Sequence, residues 1–279
     1  MIVLSHYQAE PLLAAYHAGE STVKSSMDLN RSRATVQLSD DGVHFPTGDV
    51  LTWHRVQIMI DEPNKCFLLH SDGTIEEIIT FSETTNWVRS LYPTPGAPTM
   101  LVSGVTMHRI EGTAPLEDTR NKIHAARPRG MVLDTATGLG YTAILAAQEA
   151  DHVITVEVDP GCLAVAQFNP WSRELFDDPR IEQRLGDIYD VVQTFDDEQF
   201  SVIIHDPPMF SLAGHLYAGE FYGDLHRVLR SRGRLFHYVG DPESRTVGSI
   251  MRGVIRRLQD AGFAKVDIKH RAYGVVAYK

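Results

Sequence analysis

The pattern of apolar and polar positions changes character near residues 112–130. Before this region the apolar segments are short and separated by turn residues, which is typical of a small mixed α+β structure. The pattern predicts, in chain order, a helix at 5–19, a hairpin at 33–45, a helix at 52–60, a second hairpin at 65–81 and a short helix at 84–92. The proline-rich stretch 92–98 ends this series.

After residue 130 apolar strands alternate regularly with amphipathic helices, and this alternation predicts a parallel, doubly wound α/β sheet. The last two strands have no helix between them, so we expect them to pair antiparallel at one edge. We therefore divide the chain into an amino-terminal α+β module, 1–112, and an α/β domain, 113–279. The predicted strands are 130–136, 152–158, 180–187, 200–206, 233–240, 265–271 and 273–279, and the predicted helices are 141–150, 160–168, 219–230 and 247–262.

Composition narrows the class of protein. Hydrophobic residues make up 43% of the chain and charged residues 22%, which is typical of a globular protein, and the net charge of −10 excludes a uniformly basic nucleic-acid binder. Cys66 and Cys162 have no metal-site spacing and are expected to be free thiols of a reducing compartment. No histidine grouping indicates a metal, and no apolar run is long enough for a membrane span. The chain is therefore expected to be cytoplasmic, without a metal or a membrane.

A glycine-rich turn joins the first strand of the α/β domain to its first helix. The turn carries Asp134, Gly138 and Gly140, and the glycines allow a ligand to approach the backbone and the helix amino terminus. Glu157 and Asp187 follow the next two strands, so all of these positions are expected at one edge of the sheet. An acid at 157 suits the two hydroxyls of a ribose, and an acid at 187 suits an adenine amino group.

The position of Asp134 distinguishes between cofactors. A carboxylate at the strand end repels a pyrophosphate, whereas it suits a cationic ligand such as S-adenosylmethionine (SAM), which carries a sulfonium and an ammonium. The turn resembles the first motif of class I SAM-dependent methyltransferases, with Ala136 in place of the first glycine. The resemblance implies a seven-stranded Rossmann-like methyltransferase sheet with its last strand antiparallel. The candidate SAM-binding residues are Asp134, Ala136, Gly138, Gly140, Tyr141, Glu157, Val158, Asp187 and Ile188.

The fourth strand of the domain ends in a second candidate motif, Asp206-Pro207-Pro208-Met209-Phe210. Prolines donate no N–H, so their carbonyls and the Asp206 carboxylate form a set of acceptors suited to an N–H₂ group. The motif resembles the Asp-Pro-Pro-aromatic motif of methyltransferases that modify amino nitrogens, except that Met209 stands at the aromatic position. We predict catalytic roles for Asp206, Pro207 and Phe210, the last by stacking on a planar substrate.

Several other side chains are secondary candidates for the site. Five aromatic or histidine residues near the predicted site are expected either in the far wall of that site or in the hydrophobic core. They are His205, Tyr217, Tyr222, His237 and Tyr238. Residues 103–109 are a candidate lid strand, and Arg109 within them is a candidate ligand for the SAM carboxylate.

The resemblance extends to a largely uncharacterised group of predicted archaeal-type methyltransferases. Members of that group usually carry an arginine after the proline pair, where this chain has Met209. The group implies a fold and a cofactor but no substrate, so RNA, protein and small amines all remain open, as does the oligomeric state, a homodimer being one option. The matching segments are 64–67, 89–94, 107–109, 134–143, 169–176, 205–214 (including Ser211) and 235–240.

Two alternative functions remain. Aminopropyltransferases of the spermidine synthase type share such a sheet and use decarboxylated SAM, but they typically carry a second acid after the fourth strand, where this chain has prolines. A catalytically inactive partner subunit is the other alternative. The distribution of charge does not exclude a nucleic-acid substrate, because residues 225–279 hold 12 Lys and Arg against 4 Asp and Glu.

Overall fold

The computed structural model describes residues 1–210 and 212–279, with the side chains of residues 245 and 246 outside the description, and Ser211 of the matched segment 205–214 lies outside it too. The chain divides into two compact units. The first comprises Met1–Pro115 and Gly161–Arg173, and the second comprises Leu116–Pro160 and Glu174–Lys279. The first unit thus includes a segment that lies within the sequence-proposed α/β domain.

The elements before residue 115 are short, as the interrupted apolar pattern indicates. They form antiparallel sheets in the orders β1-β6-β7, β2-β3-β4-β5 and β11-β10-β9-β8. Their bounds are β1 (Ile2–Leu4), α1 (His6–His17), β2 (Thr22–Ser25), β3 (Ala34–Ser39), β4 (Gly42–His44), β5 (Val50–Leu51), α2 (Trp53–Asp61), β6 (Phe67–Leu69), β7 (Ile75–Glu77), β8 (Ile79–Ser82), β9 (Trp87–Tyr92), β10 (Thr99–Val102) and β11 (Val105–Thr106).

Both predicted hairpins and the first two predicted helices are present in this unit. The amide of Ser5 donates to Gln8 Oε1 at 2.9 Å, which satisfies one of the free donors at the start of α1. Leu12 of α1 and Val56 and Met59 of α2 are completely buried in the unit's core. Burial of side chains of this size contributes about 1.5–3 kcal/mol each.

The short helix predicted at 84–92 is wrong, because residues 87–92 form strand β9. Burial alternates along the strand, with Arg89 and Leu91 inside and Val88 exposed. β9 pairs antiparallel with β8 on one side and β10 on the other. Backbone pairing on both edges, together with the β-favouring Trp87, Val88 and Tyr92, outweighs the weak local helical pattern.

Most elements after residue 130 follow the predicted alternation, but the helices at 115–126, 173–177 and 188–191 were not predicted. Short 3₁₀ turns lie between some of them, including one at Gly214–Tyr217. The bounds are α3 (Pro115–Ala126), β12 (Met131–Asp134), α4 (Tyr141–Ala147), β13 (His152–Glu157), α5 (Pro160–Gln167), α6 (Arg173–Asp177), β14 (Ile181–Leu185), α7 (Ile188–Val191), β15 (Phe200–His205), α8 (Gly219–Val228), β16 (Leu229–Tyr238), α9 (Arg245–Asp260), β17 (Lys265–Lys269) and β18 (Gly274–Tyr278).

The seven strands from β12 to β18 form one sheet in the order β14-β13-β12-β15-β16-β18-β17. Neighbouring strands are parallel except at β18, which is antiparallel to both β16 and β17. The predicted fold class is therefore confirmed: an α/β, Rossmann-like sheet with its last strand antiparallel. The strand order reverses between β12 and β15, and in open α/β sheets ligands bind at such a reversal, outside the carboxyl ends of the strands.

The core of the second unit lies between this sheet and two of its helices. Phe221, Tyr222 and Leu225 of α8 and Val254 and Leu258 of α9 are completely buried there. The sheet is thus held rigidly beneath the loops that follow its strands. No helix in the described part of the chain is long and apolar enough to cross a bilayer.

Candidate active site

The turn between β12 and α4 requires glycine for two reasons. Gly138 and Gly140 have left-handed backbones, with φ of +53° and +77°. A Cβ on Gly140 would also lie 2.7 Å from the side chain of Leu175. The loop is fixed in turn by the amide of Gly138, which donates to Glu157 Oε2 at 2.8 Å. The glycine-rich loop is therefore shaped by its own packing before any ligand binds.

A buried polar chain connects this loop to the ends of two strands. Thr155 Oγ1 donates to Asp134 Oδ2 at 2.8 Å and lies 2.7 Å from Thr137 Oγ1. Asp134 is completely buried, and among the described residues its other oxygen, Oδ1, has no well-aligned hydrogen-bond donor, although the backbone amide of Ala136 also stabilises the carboxylate. Burial raises the pKa of Asp134 to about 8, helped by the nearby carboxylates of Asp206 and Glu157 and opposed by the Thr155 hydroxyl.

The two acids expected to bind adenosine both have structural partners. Glu157 Oε1 accepts from the amide of Asp159 at 3.0 Å, and its Oε2 accepts from the amide of Gly138. Asp187 caps α7 by accepting from the amide of Tyr189 at 2.9 Å, while its carboxylate stays partly exposed. Val158 is 44% exposed beside Glu157, whereas Ile188 is buried. Their adenosine-binding roles stay predictions.

The other predicted cofactor positions differ in their access to a ligand. Ala136 is half-buried in the glycine-rich turn, and Tyr141 begins α4 with its side chain 2% exposed. Tyr141 therefore offers backbone rather than ring surface at the start of the helix.

Asp206 lies in a charged cluster that sequence reasoning missed. Lys122 Nζ is 2.6 Å from Asp206 Oδ2 and 3.0 Å from Asp118 Oδ2, and it lies 4.3 Å above the ring of Tyr238. Asp118 and Lys122 are on α3, four residues apart, and both are buried. An acid and a lysine four residues apart in the sequence could have indicated this pair, but such spacing usually indicates an exposed helix face.

The cluster fixes the charge state of the lysine. Burial lowers the pKa of Lys122, but the Asp206 and Asp118 carboxylates outweigh it and raise that pKa above its usual value. Burial raises the pKa of Asp206, while Lys122 opposes this by stabilising the carboxylate. Asp206 is therefore the carboxylate partner in a buried ion pair, and its side chain is 19% exposed toward the site.

The proline loop presents fewer free acceptors than its sequence predicts. The hydroxyl of Tyr217 donates to the Pro208 carbonyl at 3.0 Å, so that carbonyl is already engaged. Pro207 is buried, while Phe210 is 45% exposed and packs edge-to-face on Tyr217, with ring centroids 5.3 Å apart. The predicted stacking of Phe210 on a substrate stays a prediction, and the exposed Met209 beside it widens this apolar rim.

Three of the secondary candidates belong to the core and not to the wall of the site. His205 Nδ1 lies 2.7 Å from Thr135 Oγ1 and its Nε2 lies 3.0 Å from the Leu216 carbonyl. Burial lowers the pKa of His205 to about 3, so this histidine stays neutral. Tyr222 and His237 are completely buried and hydrogen-bonded to each other at 2.9 Å. Tyr238, in contrast, contacts the charged cluster through Lys122.

The proposed lid segment lies in the first unit. Val105–Thr106 forms the short strand β11, which pairs antiparallel with β10. The role of Arg109 in binding a carboxylate stays a prediction.

The carboxyl ends of the central strands therefore collect acceptors around one position. Asp134 supplies a buried oxygen without a well-aligned donor among the described residues, and Glu157, Asp187 and Asp206 supply further carboxylates. This set fits a ligand that carries an ammonium and ribose hydroxyls, as SAM and its decarboxylated form do. The residues present are consistent with such a cofactor.

No family model matches the chain. The uncharacterised protein MJ1233 of Methanocaldococcus jannaschii is 43% identical over 261 residues, which are 91% of this chain and 88% of that protein. Polyamine aminopropyltransferase 2 of Streptomyces coelicolor is 29% identical over 123 residues, which are 42% of this chain but only 22% of that protein. The second similarity is therefore local.

Two of the solved structures with similar folds align with most of this chain. A spermidine synthase from Thermotoga maritima aligns with a TM-score of 0.53 and 16% identity, over 76% of this chain and 77% of its own. MnmC2 from Aquifex aeolicus aligns with a TM-score of 0.52 and 16% identity, over 68% of this chain and 70% of its own. At this level of identity the likeness shows the fold alone.

Proposed function

This chain belongs to the family of the Methanocaldococcus jannaschii protein MJ1233, and we propose that it transfers an alkyl group from an S-adenosyl sulfonium to an amine nitrogen. The observation that carries the proposal is the buried Asp134 Oδ1, which has no well-aligned hydrogen-bond donor among the described residues, at the point where the strand order reverses. A buried acceptor of this kind destabilises the fold unless a ligand satisfies it. An ammonium group of the cofactor provides both a donor and a compensating charge.

The residues of the chain have separable parts in the reaction. When bound, the sulfonium supplies an electrophilic carbon: a C–N bond forms at this carbon, and the C–S bond breaks to leave a neutral thioether. Glu157 and Asp187 orient the adenosine, and Asp134 fixes the ammonium end. Asp206 accepts a hydrogen bond from the substrate N–H, which aims the nitrogen lone pair, and it takes up the proton that the alkylated nitrogen releases. Catalysis by such a site is mainly positioning.

The geometry favours methyl as the transferred group. Lys122 Nζ lies between Asp118 and Asp206, which is the position that the ammonium of a polyamine would take between two acids. No Asp or Glu follows Asp206 until Glu220. The acceptor end is therefore suited to one neutral nitrogen and not to a polycation. On this basis SAM is the first candidate donor.

Aminopropyl transfer is the other candidate; the comparisons support it better than methyl transfer, and the charge of the site also favours it. The local sequence similarity is to a polyamine aminopropyltransferase. In addition, the described site contains four carboxylates, at Asp134, Glu157, Asp187 and Asp206, and its buried cation, Lys122, is already paired with two acids. Decarboxylated SAM lacks the carboxylate that such an acidic site would repel.

One experiment separates these functions. Titration calorimetry with SAM and with decarboxylated SAM measures binding of each donor, and transfer of label from each into RNA, protein and metabolite fractions of a cell extract identifies the product. Label transferred from SAM alone supports methyl transfer, and label from decarboxylated SAM alone supports aminopropyl transfer. If the folded protein binds neither donor, the proposed function is wrong and the inactive-subunit alternative is favoured.

A further inference from the structure

We propose that the amino-terminal edge of the seven-stranded sheet is a docking surface for the phosphodiester backbone of a nucleic acid. Its binding groups are five arginines, which we call the arginine edge: Arg127, Arg129, Arg230, Arg232 and Arg234. This inference does not depend on the proposed function, because the surface lies at the opposite end of the strands from Asp134 and Asp206.

Strand register places Arg129 and Arg234 at the same edge, and Arg127, Arg230 and Arg232 lie within four residues of one or the other along the chain. Val132 of β12 pairs with Val202 of β15, Val202 pairs with Arg234 of β16, and Arg234 pairs with Tyr278 of β18. Arg129 comes three residues before Val132, on the amino-terminal side of this row. Adjacent strands are about 4.8 Å apart, so the arginines before β12 and those of β16 are separated by about two strand spacings.

Three acids precede β15 at the same edge and neutralise part of its positive charge: Asp196, Asp197, which pairs with Arg227, and Glu198, which pairs with Lys279. The side chains of Arg127, Arg129, Arg230 and Arg232 are exposed, and none forms an ion pair with a described residue. The guanidinium of Arg234 lies 5.7 Å from the ring of Tyr278, and its buried Nε has no hydrogen-bond partner among the described residues.

The neighbouring lysines differ, because each has an acid. Lys265 Nζ lies 3.1 Å from Asp267, and Lys279 Nζ lies 3.6 Å from Glu198. Burial lowers the pKa of Arg234, and the charges of Arg129 and Arg127 add to this effect, which agrees with the closeness of the three side chains. The excess charge at this edge therefore comes from the arginines.

The chemistry of the edge favours a phosphate chain. Arginine binds phosphate oxygens through two parallel N–H groups, and several arginines spaced along one edge suit a polymer of phosphates. A membrane surface would also need exposed apolar side chains to insert. Among the described residues of the second unit, no exposed large apolar side chain is on β12, β15 or β16, and Ile268, on β17, is toward the opposite end of that strand from Lys265. A nucleic acid is thus the favoured partner.

The test measures binding of a fluorescent 20-nucleotide single-stranded RNA, and of the same sequence as DNA, to the full chain between 50 and 300 mM salt. The test variant is R129Q/R232Q. The matched control is R120Q/R252Q, which removes two exposed arginines from α3 and α9 and changes the net charge equally. Neither pair belongs to the site residues described above. Melting curves verify that both variants are folded.

We expect R129Q/R232Q to weaken binding about tenfold at 100 mM salt, and the slope of log affinity against log salt to fall by about 1.4, since each phosphate contact contributes about 0.7. R120Q/R252Q should stay within about twofold of the wild type. Equal affinities for the RNA and the DNA identify the phosphodiester backbone as the ligand. A higher affinity for the RNA identifies RNA as the partner. The proposal is overturned by absent binding at 50 mM salt, by equal losses in the two variants, or by tighter binding to anionic phosphatidylserine vesicles than to either oligonucleotide.

Discussion

Lys122 determines which carboxylate oxygen of Asp206 is available to a substrate. A carboxylate that faces an apolar rim alone would be costly to keep ionised, but here a buried ammonium lies 2.6 Å away. The ion pair holds one carboxylate oxygen, Oδ2, and leaves Oδ1 as the acceptor available to a substrate nitrogen. Asp206 is therefore better suited to positioning the nucleophile than to acting as a strong base.

Replacement of Asp206 tests this role. We expect Asp206→Asn to lower kcat at least about 100-fold, because an amide holds the substrate N–H less strongly and cannot take up its proton. Cofactor affinity should stay within about tenfold, since Asp134 and Glu157 are unchanged. Steady-state kinetics and calorimetry measure the two effects, with Asp260→Asn, an exposed acid on α9, as the control. Full activity of Asp206→Asn would refute the assignment.

At the scale of elements, the strand–turn–helix unit from β12 to α4 carries its own shape. Gly140 is the N-cap of the helix, has a left-handed backbone and lies against Leu175, so neither its backbone nor its packing tolerates a side chain. The turn is therefore a rigid cradle, and changes in it should affect stability and cofactor binding together.

The variant Gly140→Ala measures this coupling. The left-handed backbone costs about 1–2 kcal/mol with a Cβ, and displacement of Leu175 costs about 1–3 kcal/mol more. We expect the free energy of unfolding in urea to fall by about 2–4 kcal/mol and SAM affinity to decrease. Gly223→Ala on α8 is the matched control: nothing lies within 4 Å of its added methyl, and alanine favours the helix by up to about 1 kcal/mol. Equal free energies of unfolding for Gly140→Ala and Gly223→Ala would contradict the proposed rigidity of the turn.

The elements that the sequence predicted well are those in which pattern and burial coincide. From β12 to β18, apolar strands alternate with amphipathic helices, so the sheet and its last antiparallel strand followed from periodicity. β9 did not, because its pairing with β8 and β10 is a non-local effect that its short, mixed sequence shows weakly. Lys122 was missed for a related reason: its partner Asp206 is 84 residues away, and only folding brings the two together.

At the scale of the whole molecule, charge is distributed unevenly, and this distribution bears on function more than the net value of −10 does. The carboxyl ends of the strands collect Asp134, Glu157, Asp187 and Asp206, whereas the amino ends carry the arginine edge. A cationic donor and a polyanionic partner would thus be drawn to opposite ends of the same sheet. The sequence indicated the basic carboxy-terminal quarter, but only strand register places Arg127 and Arg129 beside it.

Asp134 links the stability of the whole molecule to pH. Its pKa is raised from 3.8 to about 8 in the folded chain, so its protonated form stabilises the fold fully below about pH 4, and that contribution is lost as pH rises through 8. A cofactor ammonium at Oδ1 favours the carboxylate instead. Binding should therefore release close to one proton at pH 6.5, and affinity should rise about tenfold between pH 6 and 7 and about fivefold between pH 7 and 8.

Calorimetry in two buffers of different ionisation enthalpy counts the released protons, and melting curves without ligand from pH 6 to 9 should show the midpoint falling. In Asp134→Asn the amide cannot titrate, so both pH dependences should flatten and SAM should bind more weakly at pH 8. The same proton release in Asp134→Asn as in the wild type would assign the linkage to another group. Affinity independent of pH in both proteins would mean that the cofactor ammonium does not bind at Asp134, and the carboxylate would then serve only the fold.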